Sequence, residues 1–314
     1  MIKKNNLKNM GGGLLGITSG ICWGLDTVLI GIALTMFPFN NVELVFLAPF
    51  ISSFFHDGFS AIWILILTFI KGDFGKLKKA FKSKDCKIIS IGAILGGPIG
   101  MSGYLLAVKY MGAAYAASIS AIYPVVGALI SRVFFKEKLS KKSYVGLIIS
   151  ITALFILGYT NQNEGNPNFW LGFIFILIGV FGWALEGVIC SRGMKSEDIS
   201  PYTALQIRQI VSALTYIIIV IPLFGGFKYI KTTLFSYAGM QIIIIALIGT
   251  VSYICYYKAI DKIGSTKAMC MNITYCIWAI VFGAIFGTDK ITIKLLVCGT
   301  MVLIGTILGA DNNE

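Results

Sequence analysis

The sequence predicts an all-α integral membrane protein, with ten transmembrane helices forming an inverted 5+5 structural repeat. Three observations carry that expectation. Hydrophobic residues are 57% of the 314 and charged residues 13%, too few charges to coat a soluble fold of this length. Apolar stretches recur at the length that crosses a bilayer core, about 20 residues each. The chain also contains itself twice. Trp-Gly-Leu-Asp-Thr-Val from Trp23 returns as Trp-Ala-Leu-Glu-Gly-Val from Trp183, an offset of 160.

The spans are expected in this order. The first, near 12–36, follows Lys3, Lys4 and Lys8. It is too long for a signal peptide, carries Asp26 and lacks a small-residue cleavage site, so it should be retained. Gly11-Gly12-Gly13 before it lacks the Lys-Ser/Thr ending of a phosphate loop. The second, 44–70, contains His56 and Asp57. The third, 88–108, contains Gly96-Gly97-Pro98-Ile99-Gly100, which should interrupt the helix, either beside a cavity or as a packing kink. The fourth, 113–134, contains Pro124, which should free the Ser120 carbonyl in the same way. The fifth, 143–160, closes the first copy. The second copy supplies 169–190 with Glu186, 202–224 with Arg208, then 236–257, 266–287 and 292–310.

The repeat sets the domain organisation, 1–160 and 161–314. Leu47, Ser52 and His56 correspond to Ile207, Ser212 and Tyr216 at an offset of 160. Ala107, Gly112, Tyr123 and Lys138 correspond to Ala259, Gly264, Tyr275 and Lys290 at an offset of 152. Five spans per copy is an odd number, so the second copy should enter the membrane from the opposite side. Such inverted halves can exchange shapes around a central site.

The net charge of +12 does not imply nucleic acid as a partner. Twenty of the basic residues fall in loops on one side of the expected topology and five on the other, with Arg208 inside a span. The positive-inside rule then places both termini in the cytoplasm of a multi-pass protein of the plasma (inner) membrane. The seven cysteines form no CxxC pair, so they read as free thiols, and no metal or other cofactor is expected.

Charged groups at membrane depth are costly and mark pathways or structural pairs. Here they are Asp26, Asp57, Glu186 and Arg208, joined by the single histidine, His56. With His56 neutral they sum to −2, a balance that attracts cations. Glu186 is either counter-charge and proton carrier or the buried partner of Arg208. Asp26 matches it in the repeat, as a functional acid, a water-exposed acid or a helix–helix hydrogen bond. His56 could relay protons, since its ordinary pKa lies near 6.5, or simply pack. Leaving the helix about 100° apart, His56 and Asp57 are not expected to pair with each other. Asp57 and Arg208 could form a salt bridge between the halves. Asp26, His56, Asp57 and Arg208 are the proton-coupling or gating candidates.

Aromatic residues are the second constellation. Trp23 and Trp183 each precede an acid by three positions, near the same helix face. Tyr115, Tyr123, Tyr253, Tyr256, Tyr257, Tyr275 and Trp278 fill the other inner spans. A quaternary ammonium, which donates no N–H bond, suits aromatic faces and a nearby carboxylate. Packing and interfacial anchoring are the competing role for these rings. Glu137 and Asp289, at the ends of spans four and nine, read as caps or ion pairs.

The run from Ala107 to Gly158, with Ala116, Pro124, Glu137 and Gly146 as landmarks, resembles the EamA repeat of the drug/metabolite transporter superfamily. Within it, His56-Asp57, Gly97-Pro98-Ile99-Gly100-Met101, Ser120-Ala121-Ile122-Tyr123-Pro124, Ile207-Arg208-Gln209 and Ser252-Tyr253 resemble the Lic-type choline permeases. The resemblance implies a central cavity between inverted halves. It also implies uptake of choline or a similar quaternary ammonium, driven by membrane potential with proton coupling as a further contribution. The expected binding residues are Trp23, Tyr123, Trp183, Glu186, Tyr253 and Tyr275. Asp26 departs from the family pattern. The alternative is an exporter of amino acids or other amines. An intramembrane enzyme is not expected, because no Gly-x-Ser-x-Gly run accompanies the lone histidine.

Overall fold

A computed structural model describes residues 2–44, 46–135, 140–159, 168–195, 199–288 and 291–309. Every regular element among them is helical. Glu137, Lys138, Asp289 and Lys290 lie outside the described residues.

Helix α1 runs Ile2–Ala33 and α2 Ala48–Ile70. A short α3, Phe74–Phe81, leads to α4, Lys84–Ile94, which passes through a π-helical segment, Leu95–Met101, into α5, Ser102–Met111. Then come α6 Ala113–Ser120, α7 Tyr123–Phe135 and α8 Lys141–Tyr159. The second copy holds α9 Phe169–Gly193 and α10 Pro201–Thr215, which continues by a π turn, Tyr216–Val220, into α11, Ile221–Leu223. It ends with α12 Phe227–Leu234, α13 Tyr237–Ile263, α14 Ser265–Asn272, α15 Tyr275–Phe286 and α16 Ile293–Gly309.

Among the described residues, eight stretches are long and apolar enough to cross a membrane, and two shorter apolar helices, Tyr144–Ala153 and Ile293–Leu308, fall where spans five and ten were expected. The radial pattern is that of a lipid-facing bundle. Ile174, Phe181, Ile244 and Ile218 are exposed, whereas Asp26, His56, Asp57 and Arg208 are buried. Polar groups inside and apolar groups outside is the arrangement a hydrocarbon solvent selects.

Helix pairing follows the repeat. The first span of each copy packs on the third span of the other: α1 on α13, and α9 on α4, the π segment and α5. The second spans pack on each other, α2 on α10, as do α8 and α16. Each third span joins its fourth through one glycine, Gly112 with φ 88° and Gly264 with φ 82°. A side chain there would be strained, so the repeated glycine sets a sharp reversal.

Two sequence expectations are corrected in detail. The Gly96–Gly100 run does not interrupt its span. The helix continues, widened to π geometry, which absorbs the amide that Pro98 lacks. The fourth span does break, between Ser120 and Tyr123, but Pro124 is not the sole cause. The second copy breaks at the matching place, between Asn272 and Tyr275, where Cys276 replaces the proline.

Candidate functional site

Between α1, α7, α9, α13, α14 and α15 lies a cavity with about 420 Å³ of atom-free space, its open side included. All six residues expected to bind substrate line it: Trp23, Tyr123, Trp183, Glu186, Tyr253 and Tyr275. Ser19, Gly187, Ser252, Tyr256 and Asn272 complete the wall. Small polar residues within apolar spans look like packing in the sequence. The offset of 152 was the available signal, because it pairs Asn272 with Ser120 and Tyr256 with Tyr104. Three expected aromatics are elsewhere, and one of them, Tyr257, bonds Glu186 Oε1. Tyr115 packs edge-on to Phe169, and Trp278 packs on Phe282.

Four of the six cavity rings form one connected cluster. Trp23 and Trp183 meet edge to face at 5.7 Å between centroids. Trp23 also meets Tyr253 at 5.3 Å, and Tyr123 meets Trp183 at 6.1 Å. Tyr104 backs the cluster, 4.6 Å from Trp183, and its hydroxyl bonds Thr27 at 2.8 Å. At the position matching Thr27 the second copy has Gly187, which lines the cavity together with Tyr256. The place a side chain would take at Gly187 is filled by Met269, so the paired arrangement is not kept on this side.

Behind this wall the ionisable groups form one continuous chain. His56 Nε2 lies 3.0 Å from Asp26 Oδ2, and its Nδ1 lies 3.3 Å from Asp57 Oδ1. The expectation that His56 and Asp57 would not meet is therefore wrong. A long ring and a short carboxylate bridge the 100° between neighbouring Cβ vectors. Asp57 Oδ2 accepts from Arg208 Nη1 at 2.9 Å and from Ser212 Oγ at 2.5 Å. Arg208 Nε donates to Glu186 Oε1 at 2.8 Å, and the Tyr257 hydroxyl donates to the same oxygen at 3.2 Å. Arg208 Nη1 also bonds the Gln209 side chain.

Both structural alternatives for these acids are thus realised. Glu186 and Asp57 share Arg208, and Asp26 is a buried helix–helix partner of His56, not a water-exposed acid. The two roles are compatible for Glu186, which touches the cavity as well. Asp26, His56, Asp57 and Arg208 do not line the cavity. Trp23 stands between it and His56, with ring centroids 6.3 Å apart. The Arg208 guanidinium lies 4.7 Å from the Tyr253 ring centroid, so part of that ring serves the protein's own cation. The chain of five carries −2 with His56 neutral and −1 with it protonated, an anionic balance in either state.

Close backbone approach holds the chain in place. Gly96 faces the Glu186 carboxylate, and Gly97 faces Ser212 and Asp57. Gly249, the repeat mate of Gly97, faces His56 and Asp26. No group of three or more His, Cys, Asp or Glu side chains suited to a metal occurs among the described residues.

Comparison with known proteins places this geometry. The model of the EamA-like transporter family matches residues 10–159 and again 170–309. Protein LicB of Haemophilus influenzae is 32% identical over 299 residues, covering 95% of this chain and 97% of its own. An uncharacterized transporter of Archaeoglobus fulgidus is 24% identical over 94% of this chain and 96% of its own. A crystal structure with 14% sequence identity superposes with a TM-score of 0.63 over 96% of this chain and 97% of its own, a likeness of fold alone.

Proposed function

Because the chain belongs to the EamA-like transporter family and is a multi-pass membrane transporter, we propose that it imports choline or a similar quaternary ammonium across the plasma membrane. Both termini would lie in the cytoplasm, and two inverted halves of five spans, 1–160 and 161–314, would alternate access around the central cavity. The observation that carries this reading is the composition of the cavity wall. Two indoles, four phenols and one carboxylate face a single space. A methylated ammonium offers no hydrogen-bond donor, so aromatic faces and a nearby negative charge are what it can use.

In this reading Trp23, Trp183, Tyr123 and Tyr275 hold the methyl groups, and Tyr253 contributes the part of its ring that Arg208 leaves open. Glu186 supplies charge. Arg208 and Tyr257 both bond Oε1, and Oε2 lies against Gly96, so Glu186 acts on the substrate as a nearby charge. Inward movement of one cation gains about 2.3 kcal/mol per 100 mV of inside-negative potential. Proton coupling would run through Asp26, His56 and Asp57, one wall away from the substrate.

Radiolabelled choline uptake into proteoliposomes with an imposed potential tests the proposal. Potential-driven uptake by the wild type, lost in Glu186→Gln with Trp23→Ala, supports it. Absence of uptake by the wild type, or full uptake by the double variant, rejects it.

A further inference from the structure

Two of the cavity tyrosines are held by each other's helices. The Tyr123 hydroxyl donates to Asn272 Oδ1 at 3.0 Å, and the Tyr275 hydroxyl lies 2.6 Å from Ser120 Oγ. Ser120 already donates to the Ala117 carbonyl at 3.0 Å, so Tyr275 is the donor in that pair. Both tyrosines, and both of their partners, are related by the offset of 152. The two bonds are therefore one interaction made twice, with donor and acceptor helices exchanged. Each partner, Ser120 or Asn272, ends a helix, and each tyrosine starts the next one after the break.

The pairs differ in what stands behind them. Asn272 Nδ2 donates to Ser19 Oγ at 2.7 Å, Ser19 Oγ lies 3.0 Å from Ser252 Oγ, and Ser252 Oγ donates to the Ser19 carbonyl at 2.9 Å. The Tyr123–Asn272 bond thus belongs to a clasp across α7, α14, α1 and α13. It lies on the side of the cavity toward the start of α1. The Tyr275–Ser120 bond joins only α15 and α6, and lies toward the opposite face.

We propose that these bonds are two latches on the cavity: Tyr123–Asn272 closes the face bearing the start of α1, and Tyr275–Ser120 closes the other. Asn272 and Ser120 are positioning residues, acting through the tyrosines they hold. With both bonds made, the helix breaks on both sides of the cavity are braced. Opening either face requires one break to hinge, at Ala121–Ile122 or Ile273–Thr274. The inference rests on the reading of this cavity as the transport site between two halves, not on which cation it takes.

The test uses two cysteine reporters that are also repeat mates, Tyr256→Cys and Tyr104→Cys, in a chain freed of native cysteines. A membrane-impermeant thiol reagent is applied from each face. Asn272→Ala, which removes the bonds to both Tyr123 and Ser19, should raise labelling of the Tyr256→Cys reporter from the α1-start face by more than the roughly fivefold set by one net hydrogen bond, and lower labelling of the other reporter. Ser120→Ala should do the reverse. Tyr123→Phe and Tyr275→Phe, which remove only the hydroxyls, should reproduce each pattern as faster hydrogen exchange at the nearer helix break. Equal effects on both reporters, or on neither, overturn the latches. Opposite effects in a protein that ignores choline keep the latches and reject the substrate. Choline uptake with unresponsive reporters does the converse.

Discussion

Trp23 and Trp183 occupy equivalent positions in the two copies of the repeat, 160 residues apart, and their indoles touch edge to face at 5.7 Å. Such a contact forms only where the two copies approach across a shared centre. It puts both copies into one cavity wall, and it leaves ring faces turned away from the contact for a ligand. The carboxylates that follow three residues later have different fates. Glu186 reaches the cavity, while Asp26 turns to His56 behind the wall.

Replacing either indole by leucine keeps apolar bulk and removes the quadrupole. Choline affinity should fall about tenfold for Trp23→Leu and for Trp183→Leu, the loss of a desolvated cation–π contact. Calorimetric titration of purified protein in detergent reads this directly. Tyr253→Phe should behave differently. Its hydroxyl is buried without a partner, so removing it should leave stability unchanged or slightly raised. A large drop in melting temperature for Tyr253→Phe would contradict that account.

Arg208 is the pivot of the buried charge chain, bonded to Glu186 and Asp57 at once. Arg208→Met strands two carboxylates and should cost about 3–5 kcal/mol. Arg208→Lys should not rescue it, since one ammonium cannot reproduce the two directed N–H bonds. Adding Asp57→Asn to Arg208→Met should recover part of the loss. Thermal unfolding of the three variants measures these differences, and additive effects of the double variant would deny the pairing.

Much of this arrangement was legible from residues alone. The offset between Trp23 and Trp183 announced the repeat, and apolar length gave the eight long spans found among the described residues. The offsets pair Trp23 with Trp183 and Tyr123 with Tyr275 on one cavity, whereas the mates of Glu186 and Tyr253, Asp26 and Met101, do not line it. Contact between neighbours was not legible. His56 and Asp57 meet through side-chain reach, which helix angle alone does not capture. Nor was the π geometry at Leu95–Met101, because Gly-Gly-Pro signals a disturbed helix without saying whether it breaks or widens. The clasp through Ser19, Ser252 and Asn272 was hidden because single polar residues are averaged out within long apolar spans.

Gly249 is open to a sharp test. A β-carbon there would sit 2.5 Å from His56 Nε2 and 2.7 Å from Asp26 Oδ2. Neither group has room to move, as both are buried. Gly249→Ala should therefore pry the pair apart at a cost of about 1–3 kcal/mol and flatten any pH dependence of uptake that the pair confers. Gly75→Ala, where the added carbon meets open space, serves as control. Uptake by Gly249→Ala with wild-type pH dependence would remove Asp26 and His56 from the coupling path.

The last prediction concerns an ion pair outside the membrane spans. The Tyr229 hydroxyl donates to Glu43 Oε2 at 2.7 Å, and Lys228 Nζ lies 3.7 Å from the same oxygen. These contacts tie the link between α1 and α2 to α12. The hydrogen bond from Tyr229, then the charge of Lys228, hold the Glu43 carboxyl below its ordinary value of 4.5. A carboxyl depressed in the folded state stabilises it fully above that ordinary value, and the gain fades as pH falls through the folded one. The melting temperature of the wild type should thus exceed that of Glu43→Gln at neutral pH, with the gap closing on acidification below 4.5. The groups are exposed, so the gap should be small and should shrink in high salt. A gap that stays constant or widens toward low pH would show that the Glu43 charge does not brace this link.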